Sequence, residues 1–270
     1  MECSGSTNKD ESRDLQNKKI KDNLVKIKRK ITVMSGKGGV GKSTIAVNLA
    51  VYLAEKGFKT GLMDVDLHGP SVPTILGVKG FPVGLDDGII TPVIYSKNLK
   101  VISIEGLLKN TDDALIWRGP MKIGVIRQFI ADIDWGDLDF LIIDAPPGTG
   151  DEPLTIAQDI AGAEALIITT PQEVSLSDVR KSVNFCKQLK MPVLGLIENM
   201  SGFVCSCGKK TDIFKSGTIE AAAEKMGVKY LGSIPIEVDI MASSDKGMPF
   251  VCNNDSATAS AFKKIADKII

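Results

Sequence analysis

The sequence predicts a doubly wound α/β fold, a mostly parallel sheet with helices on both faces, on three observations. Gly36 to Ser43 fits the phosphate-binding pattern G-x-x-x-x-G-K-[ST], set between a short apolar strand and an amphipathic helix. Further along, near-continuous apolar runs alternate with helical periodicities, the pattern of parallel strands covered on both faces. Two of those runs close on carboxylates, at Asp64/Asp66 and at Asp144. In such sheets ligands sit beyond the C-terminal strand edges.

In chain order, residues 1–10 are rich in Ser, Asn and charge and read as disordered. From Glu11 to Lys30 a charged helix is expected, with Leu15, Ile20, Leu24 and Ile27 as a sparse apolar stripe. Residues 1–24 are therefore a flexible or partly helical segment, and 25–270 a single domain. Ile31-Thr32-Val33-Met34 is a buried strand. Ile45, Leu49 and Leu53 recur every fourth residue and form the apolar face of the helix after the loop, which Gly57 ends. Lys59 to Asp66 is a second buried strand, and Ser71 to Gly77 a short helix. Ile89 to Ile104 reads as two antiparallel strands around Ser96-Lys97-Asn98. Ile126, Phe129, Ile130 and Ile133 mark a helix at i, i+3, i+4, i+7. Strands follow at Leu138–Ile143, Leu166–Thr169, Val193–Ile197 and Tyr230–Ile234. Helices are expected at Ser175–Leu189 and Ile219–Met226, and in a closing helix with Phe262, Ile265 and Ile269.

The loop residues suit an anion. Gly36, Gly38, Gly39 and Gly41 let the backbone around Val40 curl so that successive N–H groups converge. The helix start at Lys42-Ser43-Thr44 adds free N–H groups and the positive end of its dipole. Lys42 supplies a point charge for β/γ-phosphates, and the Ser43 hydroxyl is a magnesium ligand. A nucleotide-bound magnesium needs hard oxygen donors, directly or through water, so Asp64 and Asp144 join Ser43 as candidates. Asp66 is the candidate for orienting an attacking water, since phosphoryl transfer depends mainly on positioning. Asp144-Ala145-Pro146-Pro147-Gly148-Thr149-Gly150-Asp151 is a stiff loop whose Gly148 N–H is expected to sense a γ-phosphate. His68, the single histidine, reads as a loop residue near the nucleotide.

Composition excludes several classes. The formal net charge is zero, so no global field favours nucleic acid or an anionic membrane. Residues 1–30 carry nine Lys/Arg against five Asp/Glu, read as a solvated helix face or a contact for an anionic partner. There is no secretory signal and no run long enough to span a bilayer, so a cytoplasmic protein with reduced cysteines is expected.

Lys37 gives the loop the form G-K-G-G-V-G-K-S-T. This resembles the deviant Walker A loop of the MinD/ParA class of P-loop NTPases, which implies that Lys37 reaches across a dimer interface to the partner's nucleotide. More blocks follow in order: Asp64 to Ser71, Trp117-Arg118-Gly119-Pro120, Asp144 to Asp151, and Glu198-Asn199-Met200-Ser201. Together they are similar to the Mrp/ApbC-type iron–sulfur cluster carrier ATPases, from about residue 25 to the C-terminus. The resemblance implies a homodimer that hydrolyses ATP with Mg2+ and delivers clusters to apo iron–sulfur proteins, without nucleic acid or membrane. It implies that Asn199 reads the adenine edge and that Pro235-Ile236 lines the base pocket. A side-chain amide can pair donor and acceptor with adenine.

The family places a C-x-x-C pair after the Asn-Met-Ser block, whereas this chain has Cys205-Ser206-Cys207 within a loop at 201–214. Two thiolates do not complete a four-iron cluster (4Fe-4S), but two chains supply four. A zinc held the same way is the alternative. Cys186 shares a helix face with Leu176, Val179 and Val183 and reads as a core residue. Cys3 lies in the N-terminal tail, and Cys252 carries no clear signal. A MinD/ParA-like spatial-positioning switch, or a reductase like the nitrogenase iron protein, gives the cysteine pair no role or lacks its further motifs here.

Overall fold

A computed structural model describes residues 7–67, 69–78, 84–86, 88–107, 119–204, 210–211, 218–237, 243–244, 246–252 and 256–270. Among these, seven strands run parallel: β1 (Ile27–Ser35), β2 (Thr60–Asp64), β6 (Leu99–Ser103), β7 (Leu138–Asp144), β8 (Ala163–Thr169), β9 (Val193–Val204) and β11 (Tyr230–Ile236). Across the sheet they lie in the order β11-β9-β8-β1-β7-β2-β6. Antiparallel β5 (Val93–Ser96) closes one edge on β6, and β10 (Lys210–Thr211) folds back on the end of β9. The strands β3 (Gly84–Asp86) and β4 (Ile89–Thr91) form a separate ribbon. The antiparallel pair expected across 89–104 is thus β5–β6 alone, with Ile89–Thr91 given to the ribbon.

Alternation along each strand sends its side chains into different layers. Ile31 and Val33 of β1, with Phe140 and Ile142 of β7, face α2 (Lys42–Glu55) and the closing helix α8 (Ala257–Ala266). Met34, Leu141 and Ile143 face the other layer, built from α1 (Thr7–Leu24), α4 (Gly119–Asp132) and α5 (Asp151–Asp159). A third cluster joins Ile167 and Leu196 to α6 (Ser175–Gln188) and α7 (Thr218–Met226). A short helix α3 (Val72–Ile75) packs Val72 and Ile75 on the α2 side. Because α2 is covered by the sheet, α3 and α8, it is buried nearly all round rather than along one stripe. Gly57 stands at φ +94°, the left-handed turn expected after that helix.

Three expectations change. The N-terminal helix begins at Thr7, so residues 7–10 are helical. It ends at Leu24, and Ile27 opens β1 opposite Leu138. A strand residue fell in phase with the helical stripe, and the cross-strand ties Lys28–Asp139 (2.7 Å) and Arg29–Glu164 (2.8 Å) hold this stretch in the sheet. Helix α5 was not expected. Pro153, Ile156 and Ile160 fall at i, i+3 and i+7, but the helix itself is only nine residues long and directly follows the Gly/Pro-rich loop. Among the described residues no helix is long and apolar enough to cross a membrane.

The second half of α1 is tied to the domain through α4. Ile20 and Leu24 pack with Ile126, Phe129 and Ile130. Asn23 donates to the Ala131 carbonyl at 2.7 Å, and Arg127 reaches Asp159 at 2.7 Å as well as Gln16 and Asn17. Leu24→Ala, at 5% exposure, should cost about 2–4 kcal/mol in urea unfolding. Leu15→Ala, at 60% exposure, should stay within about 0.5 kcal/mol. Equal effects at the two positions would contradict this packing.

Candidate nucleotide site

Three strands, β1, β2 and β7, bring the predicted residues to one edge of the sheet. Strand β1 ends at Ser35, the loop turns through Gly39 (φ +76°) and Gly41 (φ +82°), and α2 begins at Lys42. Gly36 meets α6 closely, since a Cβ there would lie 2.5 Å from the Asp178 Cβ. The loop closes on itself where the Ser35 hydroxyl donates to the Lys37 carbonyl at 2.9 Å.

Lys42 is only 6% exposed, and carboxylates surround its ammonium. Its Nζ donates to Asp144 Oδ1 at 2.5 Å and to Ser43 Oγ at 3.3 Å, with Asp66 Oδ2 at 3.8 Å. Asp144 is fully buried, and its Oδ2 has no hydrogen-bond partner among the described residues. Burial pushes the Asp144 carboxyl up, against the pull of Lys42 and Ser43. Asp64 is pushed well above the ordinary carboxylate range by burial and by Asp144 beside it. Its carboxylate accepts the Asp66 N–H at 3.1 Å, the Val72 N–H at 3.3 Å and the Ser103 hydroxyl at 3.2 Å. Asp64 therefore commits both oxygens to protein donors, whereas Asp66 faces the cavity.

Two cavities adjoin. One, of about 300 Å³, is lined by Gly38, Gly39, Lys42, Ser43, Asp66 and Pro147, with Gly41 and Thr44 at its border. The other, of about 450 Å³, shares Gly41 and Thr44 and continues to Asn199, Met200, Pro235 and Ile236. Its size suits a small-molecule pocket. Asn199 donates from Nδ2 to the Val40 carbonyl at 2.8 Å, which leaves one N–H and Oδ1 for a ligand. Met200 stands at φ +60°, a costly conformation for a side chain with a Cβ. The far wall is wired to α8. Thr258 donates its hydroxyl to the Pro235 carbonyl at 3.3 Å, and Glu237 accepts from Ser256 Oγ at 2.6 Å and Thr258 N at 3.1 Å. Burial pushes Glu237 up, but the Ser256 and Thr258 donors outweigh it and hold the group below its usual value.

Two further predicted residues are engaged within the chain. The Gly148 N–H donates to the Ser35 carbonyl at 2.7 Å, on the strand that feeds the loop. Lys37 is half-buried and donates to Gln172 Oε1 of its own chain at 2.6 Å. Gln172 and Ser103 were not singled out from sequence. Ser103 lies between Ile102 and Ile104 inside an apolar run, which hides it in the sequence. His68, Trp117, Arg118, Cys3, Cys205 and Cys207 lie outside the described residues. Cys186 is buried in the core, and burial pushes its thiol up to about 11. Cys252 is exposed beside Glu55 at 3.4 Å, and it too is raised to about 11, by partial burial and that carboxylate. Neither environment favours the thiolate, the reactive form of a cysteine.

Comparison with known proteins agrees with this geometry. A ParA-group family profile, described as NUBPL iron-transfer P-loop NTPase, matches residues 26–270. The chain is 49% identical over 257 residues to an iron–sulfur cluster carrier protein of Methanocaldococcus jannaschii, covering 94% of this chain and 88% of that one. It is 49% identical over 255 residues to one from Saccharolobus solfataricus, covering 93% and 86%. A nucleotide-binding protein of Archaeoglobus fulgidus, solved in complex with ADP, superposes with a TM-score of 0.76 at 41% identity, over 86% of this chain and 91% of that one. The Pyrococcus furiosus cell division ATPase MinD gives 0.66 at 27% identity, over 89% and 98%.

The junction of the two cavities has no room for a side chain at Gly41. A Cβ there would lie 2.3 Å from Asn199 Nδ2, at a φ that side chains rarely adopt. Gly41→Ala should weaken ADP binding by about 10- to 100-fold in calorimetry. Wild-type affinity in that variant would place the nucleotide elsewhere.

Proposed function

Because the chain belongs to the NUBPL iron-transfer P-loop NTPase family of the ParA group, we propose that it hydrolyses ATP and carries an iron–sulfur cluster on Cys205 and Cys207 to apo-proteins. The observation that carries the ATP reading is the pair of adjoining cavities: a phosphate-sized one around Lys42 and an apolar one beyond Asn199, joined at Gly41 and Thr44. Lys42 and the N–H groups of residues 38–44 hold the β- and γ-phosphates. Asn199 uses its remaining donor and acceptor on the adenine edge, against Pro235 and Ile236.

Ser43 and Asp144 fit a magnesium ion, because both are hard oxygen donors and Asp144 Oδ2 is buried without a partner among the described residues. Magnesium there supplies charge neutralisation on the β- and γ-phosphates. Asp64 supports the set from beneath, its own oxygens being taken up by protein donors. Asp66, at the cavity wall, orients the attacking water in line with the γ-phosphate. Lys37 serves the partner's nucleotide in a homodimer. That requires it to leave Gln172, a neutral acceptor whose bond to a charged donor is worth about 1.5–3 kcal/mol, a cost new phosphate contacts can offset.

The cluster is cargo. Strand β9 leads from Asn199 to Val204, and β10 returns antiparallel beside Phe203 and Val204, so the Cys205–Cys207 stretch joins two paired strands. Two such stretches brought together on a two-fold axis offer four thiolates.

Asp66→Asn should bind ADP within about threefold of wild type yet hydrolyse ATP at least about 100-fold more slowly. Equal rates would remove Asp66 from the chemistry. Anaerobic reconstitution should give about one four-iron cluster per dimer, lost when both Cys205 and Cys207 become Ser, with ADP binding retained. A colourless zinc-loaded dimer that cannot be reconstituted would overturn the carrier reading, and a full cluster on a monomer would overturn its bridging of two subunits.

A further inference from the structure

Asp64, Ser103 and Asp144 form one row across the sheet, with Asp64 in register with Ser103 on β6 and with Asp144 on β7. Asp64 has no exposed surface, and Ser103 is buried with it. Ser103 Oγ donates to Asp64 Oδ2 at 3.2 Å and accepts the Glu105 N–H at 3.2 Å. Asp64 in turn receives the N–H groups at both ends of the turn that carries Asp66: that of Asp66 itself at 3.1 Å and that of Val72 at 3.3 Å. The start of the same turn is pinned where the Val65 N–H meets the Asp144 carbonyl at 3.1 Å.

We propose that Ser103 is a positioning residue for ATP hydrolysis, acting through Asp64 to hold the 64–72 turn so that the Asp66 carboxylate faces the phosphate cavity. The proposal rests on the reading of Asp66 as the carboxylate that orients water. Removing the Ser103 hydroxyl takes one of three donors from a carboxylate that water does not reach. The cheapest response is a rotation of Asp64 toward its remaining donors, which draws the Asp66 and Val72 N–H groups with it. Nucleotide binding is held by other elements, the β1–α2 loop and Lys42. Loss of Ser103 therefore acts on the catalytic step and spares affinity. A displacement of about 1 Å at a positioning group costs up to about 100-fold in rate.

The test uses the full chain with Ser103→Ala and Ser103→Thr, each alone and on an Asp66→Asn background. Ser103→Ala should lower kcat by about tenfold while KM for ATP and ADP affinity stay within about twofold, and Ser103→Thr should restore most of the rate. On the Asp66→Asn background, Ser103→Ala should change kcat by less than about twofold, because the group it positions is already gone. The proposal is overturned if Asp66→Asn is slow but Ser103→Ala hydrolyses at the wild-type rate. It also fails if Ser103→Ala lowers the rate equally on both backgrounds, the result of a merely structural role. A wild-type rate in Asp66→Asn identifies failure of the underlying reading and removes the proposal with it.

Discussion

A lysine ammonium buried between two carboxylates is the interaction on which the rest of the site depends. Lys42 has little access to solvent, and Asp144 and Asp66 stand beside its ammonium in place of water. Asp144 ends β7, Asp66 follows the end of β2, and the lysine comes from the first turn of α2. The arrangement exists only with the register that sets Asp144 beside Asp64 of β2 and Val33 of β1. A one-residue slip would turn Asp144 toward the opposite layer and leave a buried cation without a partner. The apolar strand interiors and the polar strand ends are therefore one design: the first fixes the register, and the second uses it.

The same edge explains why the loop residues are small. Gly36 lies against Asp178 of α6, and Gly41 lies against the Asn199 amide of β9. The loop is clamped between two elements that come well over a hundred residues later in the chain. Asn199 also donates to the Val40 carbonyl, so the group proposed to read the base is fixed by the loop that holds the phosphates. The proposed base and phosphate sites thus share a single junction, an arrangement that suits a nucleotide better than a free phosphate.

Strand β9 carries that junction toward the cysteine pair. Its pairing with β11 passes from Ile234↔Asn199 to Ile236↔Phe203, two steps on one strand against four on the other. Met200 absorbs part of this slip at a positive φ. The strained residue stands between the base pocket, which it lines, and the end of the strand that leads to Cys205. A strand interrupted in this way can seat Asn199 on the loop without forcing the same geometry on its far end.

By itself the sequence determined the fold class, the phosphate loop and the strand-end carboxylates. Each is a local pattern: a spacing of Gly and Lys, a run of apolar residues, a polar residue at the end of that run. It was also enough to mark Asn199 with Pro235 and Ile236 through resemblance, and they do line one cavity. Only the tertiary structure decided what each polar group meets. Asp64 and Asp66 look alike in the chain, yet one is taken up by Ser103 and two backbone N–H groups while the other faces the cavity. Gly148 offers its N–H to Ser35, and Lys37 leans on Gln172. Helix α5, short and directly after a Gly/Pro-rich loop, and the start of β1 at Ile27 were likewise settled by packing and cross-strand pairing. Periodicity records which side of an element is apolar. Hydrogen-bond partners are chosen by residues distant in sequence, and no local pattern encodes them.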